Sequence, residues 1–185
     1  MDLLTAVNNI LPWMEENKVT TIDTKHPTVA LILDKIDLNL EKILNEGYWF
    51  NTEKKKFFVS PEGTVARPTN LISLYPTNKA LNYEARGDKI YDLDNSTFQI
   101  QEPFEAMVRT QLAFEEVPES AARTIMWRAG IDAYVPDFGV ANSVQIMMAR
   151  EAEAYALLQR EHLRKKHFSA MNSAPGFRFM NSLRG

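Results

Sequence analysis

The stretch from Pro27 to Asn51 constrains this chain more than any other. Val29, Ile32, Leu33, Ile36, Leu40, Ile43 and Leu44 recur there at helical spacing, which makes an amphipathic helix over about 27–46 with one buried face. Pro27 suits the first turn of such a helix, where its missing N–H is no loss. Gly47 follows the last apolar position and can take the left-handed conformation that ends a helix. Tyr48-Trp49-Phe50 then buries a large aromatic area just past that corner, with Trp49 expected inside it, and Asn51 closes the run.

Around this element the chain alternates between helical and irregular segments. Residues 2–11 read as a short helix with Leu3, Leu4 and Val7 on one face, ended by Pro12. Residues 13–26 form a connector with Trp13, Val19 and Ile22 as apolar anchors. Past the aromatic corner, Phe57-Phe58-Val59 after a charged lead-in, Asn70–Tyr75 and Thr97–Ile100 read as short strands. Leu81–Ala85 and Lys89–Leu93 flank Arg86-Gly87-Asp88 as a hairpin with glycine at its turn. Glu102-Pro103 opens a helical stretch over about 103–113, with Glu102 and Glu105 at the positive end of its dipole. Pro118 starts a further helix with Ala121, Ala122, Ile125, Met126, Ala129 and Ala133 on one face, broken by Pro136. The last helix runs from near Gly139 to about Lys166, with Val144, Met147, Met148, Tyr155 and Leu158 as its stripe and alanines around them. Glu161 and Lys165 are spaced for an i,i+4 ion pair.

The fold class that follows is mainly α with a small β region: a helical bundle plus a β-hairpin appendage and an extended C-terminal tail. A single domain is expected over residues 1–166, with a β insertion at about 52–100, followed by the tail at 167–185.

Charge separates the end of the chain from its body. Glu161 is the last acid, and Arg164, Lys165, Lys166, Arg178 and Arg184 follow it, so the first 161 residues carry 16 basic against 24 acidic side chains, a net of −8. A basic end on an acidic body suggests docking on a negative surface, a neighbouring copy included. Phe168, Phe177 and Phe179 interleave with these charges in a Gly/Pro-containing segment, the composition of a tail that orders on a partner.

Enzymatic chemistry finds little support. The chain has no cysteine, hence no disulfide or thiolate metal site. His162 and His167 are five apart, whereas two helical metal ligands need three or four to share a face. Nucleophile-elbow and phosphate-loop patterns are missing among seven glycines. Glu115-Glu116 and Glu151/Glu153 could be glycosidase carboxylates, but acids are expected on exposed helix faces in any case. Arg86-Gly87-Asp88 spells an adhesion tripeptide, yet a hairpin needs glycine there regardless. Lys54-Lys55-Lys56 and Arg164-Lys165-Lys166 could touch phosphates, although charge runs are usually solvated. Met147-Met148 reads as core or interface filler. No cofactor or metal is expected. No apolar run approaches a membrane span, and the acid in the first ten residues argues against a signal peptide.

An ordered set of motifs resembles the phage tail tubular protein A family, the head-to-tail adaptors of short-tailed phages. Ala6-Val7-Asn8-Asn9-Ile10-Leu11 is similar to its opening A-V-N-x-I-L segment, and Leu33–Asn51 to its helix ending in a Gly-aromatic-x-F-N corner. Leu81–Asp92 resembles its Arg-Gly hairpin, Glu116-Val117-Pro118-Glu119 its x-P-E entry into paired helices, and Glu151-Ala152-Glu153-Ala154 its acid-rich final helix. The resemblance implies a structural virion protein of the tail, assembled in the host cytoplasm, with no catalytic residues. It implies a dodecameric ring between the portal and a tail nozzle protein of the tail tubular protein B type, around a channel through which DNA passes without specific binding. The candidate portal or subunit interface is then Arg164, Lys165, Lys166, Phe168, Phe177, Arg178, Phe179 and Arg184. The alternative is a tail-associated polysaccharide hydrolase. The two-sided, alanine-rich helices favour the assembly, because excess apolar surface marks an interface and head-to-tail contacts that close make rings.

Overall fold

A computed structural model describes residues 1–140 and 142–171, the last five of them as helix backbone only. The chain is mainly helical with a small β region, and it divides into two compact units, Met1–Leu40 with Val117 onward, and Glu41–Glu116.

In the first unit, α1 (Leu3–Ile10) is capped by Asp2, whose carboxylate accepts from Thr5 N and Thr5 Oγ1 at 2.7 and 3.0 Å. Its fully buried residues are Ala6, Val7 and Ile10, while Leu3 and Leu4 stay half-buried. Pro12 does not end the helical path but turns it into a 3-10 turn, Leu11–Met14. Asn8 then pins the connector, its amide bonding both N and O of Val19 at 2.8 and 2.9 Å. The long helix α2 (Pro27–Glu46) buries Val29, Ile32, Ile36, Leu40, Ile43 and Leu44 as its spacing requires, while Leu33, at the margin of the stripe, is half-buried.

α3 (Glu119–Phe138) is buried around most of its circumference, the mark of a central helix. Gly130 sits where three helices meet: a Cβ there would already touch Ile10 and Met147. Pro136 lies within α3 rather than breaking it. It falls in the last turn, where a missing N–H costs one bond, and Gly139 stops the helix two residues past Phe138's neighbour Asp137, at φ +69°. α4 (Asn142–Met171) starts later and ends later than its pattern suggests, and spans about 45 Å at 1.5 Å per residue. The two helices run antiparallel, joined in sequence by Ser143 Oγ to Tyr134 Oη at 3.1 Å, Arg128 to Glu151 at 2.7 Å and Ser120 Oγ to Glu161 at 2.6 Å. Glu161 thus serves Ser120 across the two helices.

The second unit is built on an antiparallel sheet ordered β1 (Thr52–Phe57), β5 (Phe104–Thr110), β2 (Leu71–Pro76). The sequence reading of a helix at 103–113 is wrong. Phe104, Ala106, Val108 and Thr110 are buried and alternate with Glu105, Met107 and Arg109, so period two overrode the Glu102-Pro103 start signal. β1 is the charged lead-in itself: Glu53, Lys54, Lys55 and Lys56 are exposed along an edge strand, and Phe58, just beyond it, is exposed too. The hairpin β3 (Tyr83–Arg86) and β4 (Lys89–Asp92) turns at Arg86-Gly87-Asp88 as expected. Arg86 lies 4.1 Å over the Tyr91 ring. Thr97–Ile100 forms only a single bridge, Asp92 to Thr97. Phe57, Leu71, Leu74, Ile90, Ile100 and Phe104 lead the core of this unit.

The aromatic corner differs from expectation in one respect. Tyr48 is the buried ring, at 3% exposure, while Trp49 and Phe50 are half-buried. Asn51 holds the corner: Nδ2 donates to the Leu44 and Thr110 carbonyls at 2.8 and 3.3 Å, and Oδ1 accepts from Tyr48 N at 2.9 Å. Gly47 has φ +78°, and a Cβ on it would collide with the Arg109 guanidinium. That guanidinium donates to Asn45 O at 2.7 Å, a cation at the negative end of the α2 dipole.

Candidate subunit interface

The proposed interface begins on the last turns of α4. Arg164, Lys165 and Lys166 are all exposed there. Consecutive helical residues point about 100° apart, so the three cations fan around the helix rather than forming one flat patch. Phe168 lies on the α4 backbone. Phe177, Arg178, Phe179 and Arg184 lie outside the described residues.

Upstream of that cluster the same helix shows a surface that was only partly legible. Of its expected stripe, Val144, Met147 and Leu158 are buried and Tyr155 is half-buried, with Ala154 buried beside them. Met148, assigned to the same stripe, instead points outward at 53% exposure, because it stands about 100° from Met147. Ile146, Leu157 and Leu163 are exposed with it, and Ala149, Ala152 and Ala156 fill the space between. At about 100° per residue, Ile146 and Leu157 point the same way, while Met148, Ala152, Ala156 and Leu163 line a second strip of the outward surface. An outward stripe of this kind offers an apolar, low-relief surface along which a second helix can lie closely. Arg164 is seven residues beyond Leu157 and so ends the same face with a positive charge.

Of the acids considered for catalysis, Glu151 and Glu116 have structural work, as has Glu119 nearby. Glu151 is held by Arg128, whose guanidinium also lies 4.7 Å over Tyr155. Glu116 Oε2 accepts from Ala113 N at 2.7 Å. Glu119 is shared by Arg123 at 2.8 Å and the N-terminal amine at 3.3 Å, and the Arg123 bond is the main reason that its carboxyl titrates below the ordinary range. Among the described residues no group of three His, Asp or Glu could hold a metal ion. No described helix is long and apolar enough to cross a membrane.

His162 sits beside the cationic end of α4, half-buried. Burial, and secondly the charge of Lys166, holds its imidazole below the ordinary value of 6.5. The unfolded chain therefore takes up the proton first as pH falls. The stability that neutral His162 contributes is complete above about pH 6.5 and is lost as pH falls toward its folded-state value. His162→Gln should flatten the decline of the urea midpoint between about pH 7 and pH 5; an unchanged slope would show that His162 is not its source.

A second feature of the first unit had no signal in the sequence. Trp13 and Trp127 meet edge to face at 6.1 Å, and Arg150 lies 5.5 and 5.2 Å from their ring centres. These three residues are distant in sequence and are brought together only by the packing of the turn after α1 against α3 and α4. They line an open groove of about 450 Å³ that also includes Asn9 and Met126.

Comparison with known proteins agrees with the ordered motifs. A model of the tail tubular protein family matches residues 4–168. Tail tubular protein A of Klebsiella phage KP34 is 29% identical over 167 residues, which cover 90% of this chain and 89% of that protein. The matched span takes in α1 through the basic turns of α4, including the Gly47–Asn51 corner and the outward stripe. The chain belongs to the tail tubular protein family, and its role is a structural, non-enzymatic one in the tail of the phage virion.

Proposed function

We propose that this protein is the head-to-tail adaptor of its virion. Copies form a ring, expected to be dodecameric, that joins the portal to a tail nozzle protein of the tail tubular protein B type. The ring encloses part of the channel through which DNA is ejected, and it is assembled in the host cytoplasm. The observation that carries this reading is the outer face of α4, where Ile146, Met148, Leu157 and Leu163 stand exposed among alanines. A helix of this length with apolar residues on both faces is suited to two neighbours, one within the chain and one from another copy. The net −8 of the first 161 residues suits a channel that does not grip passing DNA, since like charges repel. The cations of Arg164, Lys165, Lys166, Arg178 and Arg184, with Phe168, Phe177 and Phe179, supply the contact to a neighbour or the portal.

Leu157→Asp combined with Ile146→Asp tests the reading. Both positions are solvent-exposed, so the two changes together should move stability by no more than about 1 kcal/mol, while rings seen by native mass spectrometry in the presence of portal should disappear. A chain ending at Lys166 should likewise lose the portal in a pull-down. Rings that persist in the double variant would overturn the role of the α4 face, and undiminished portal capture by the truncated chain would overturn that of the tail.

A further inference from the structure

The groove framed by Trp13, Trp127 and Arg150 has a chemistry that calls for a specific kind of occupant. Its two indole faces present apolar walls. The Arg150 guanidinium is supported by those rings, and among the described residues no carboxylate is paired with it. Glu119, at the rim, is already occupied by Arg123 and the N-terminal amine. An apolar side chain adjoining a free carboxylate would therefore satisfy both parts of the groove.

The α3–α4 corner of the same chain carries that combination. Val140 is 77% exposed and Phe138 is 45% exposed, its ring stacked on Tyr134 at 4.7 Å. Asp137 is exposed and has no cation beside it among the described residues. It also lies in the last turn of α3, where a negative charge opposes the helix dipole. Docking of the corner beside an arginine relieves both the exposed apolar area and the misplaced charge.

The corner cannot reach the groove of its own chain. Trp127 and Phe138 stand on one continuous helix, eleven residues apart, which separates them by about 16 Å along the axis. We infer that the Trp13–Trp127–Arg150 groove of one copy receives the Asp137–Val140 corner of the next, with the Asp137 carboxylate against the Arg150 guanidinium. The contact joins two different surfaces and so propagates head to tail, which closes a ring when the rotation between copies permits. It adjoins the outer α4 face, since Ile146 and Arg150 are one helical turn apart. This inference rests on the ring reading given above and specifies the contact that generates it.

The chain has no cysteine, so introduced thiols report on the contact without background. The full-length protein carrying Asn9→Cys and Val140→Cys is mixed with portal, oxidised mildly and run without reductant. A ladder of covalent multimers is expected, with neither single variant exceeding a dimer. Asp137→Arg or Arg150→Asp alone should lower the ring population by roughly tenfold, and the two together should restore it, because the charges exchange places. Rings that form without the ladder and ignore both reversals would overturn this contact while leaving the ring itself intact. A ladder from Asn9→Cys paired with Phe179→Cys, in place of Val140→Cys, would give the groove to the C-terminal segment and overturn it too. Wild-type protein that stays monomeric with portal would refute the contact and the ring together.

Discussion

Asn51→Asp is expected to destabilise the protein by about 3–5 kcal/mol, because it leaves a buried carboxylate facing two carbonyl oxygens. The native amide donates to Leu44 O and Thr110 O and accepts from Tyr48 N. Only a group that is donor and acceptor at once fits that arrangement. With 1% of its surface exposed, Asn51 has no water to substitute for a lost partner. Asn51→Ala abandons the same three backbone groups without adding a charge and should cost somewhat less, about 2–4 kcal/mol. The order of the two variants is the informative result, and urea denaturation at pH 7 measures it. If the aspartate variant equals the alanine variant or exceeds it in stability, water reaches the site and the corner is held by other contacts.

Phe104→Ala should remove about 3–5 kcal/mol, the usual cost of emptying a large core site. The ring stacks on Phe57 at 5.0 Å and meets Tyr83 edge-on at 4.7 Å. It therefore ties β5 to the strand beside it and to the separate β3–β4 hairpin within the second unit. Phe104→Leu keeps much of the volume and should cost only about 1–2 kcal/mol. Thermal unfolding of the three proteins decides the matter. A Phe104→Ala midpoint within a degree or two of wild type would mean that the core can be closed without this ring.

Elements with a long, unmixed period were legible in the sequence. The stripe of α2 and its glycine stop predicted the helix and all its buried apolar residues, with Leu33 alone left half-buried, because twenty residues of consistent spacing leave little ambiguity. The hairpin at Gly87 was equally plain, since its turn chemistry is local. β5 was misread because its seven alternating residues follow Glu102-Pro103 and include Glu105, a combination that also opens helices. Pro136 was taken as a break because proline opposes helix interiors, yet two residues before the terminus it removes only one bond. Tyr48 and Trp49 are neighbours of similar character, and only the angle at which the chain leaves Gly47 decides which ring goes inside. The outer stripe of α4 was visible as an excess of alanine and apolar residues, but not which of Met147 and Met148 faced out. The groove could not be read at all, since Trp13, Trp127 and Arg150 become neighbours only through tertiary packing. The basic cluster was plain from composition, and the helix geometry adds that its three cations diverge.

The lysines of β1 bear on how a chain of this kind avoids the wrong polymer. An open strand border can template the addition of an identical strand, and such stacking has no natural end point. Here that border shows Glu53, Lys54, Lys55 and Lys56 in succession. A sibling strand laid beside it would bring like charges into register and strip water from several ammonium groups at once. Growth through the backbone is thereby discouraged, and association is left to side-chain faces, whose shapes can count copies and come to a stop.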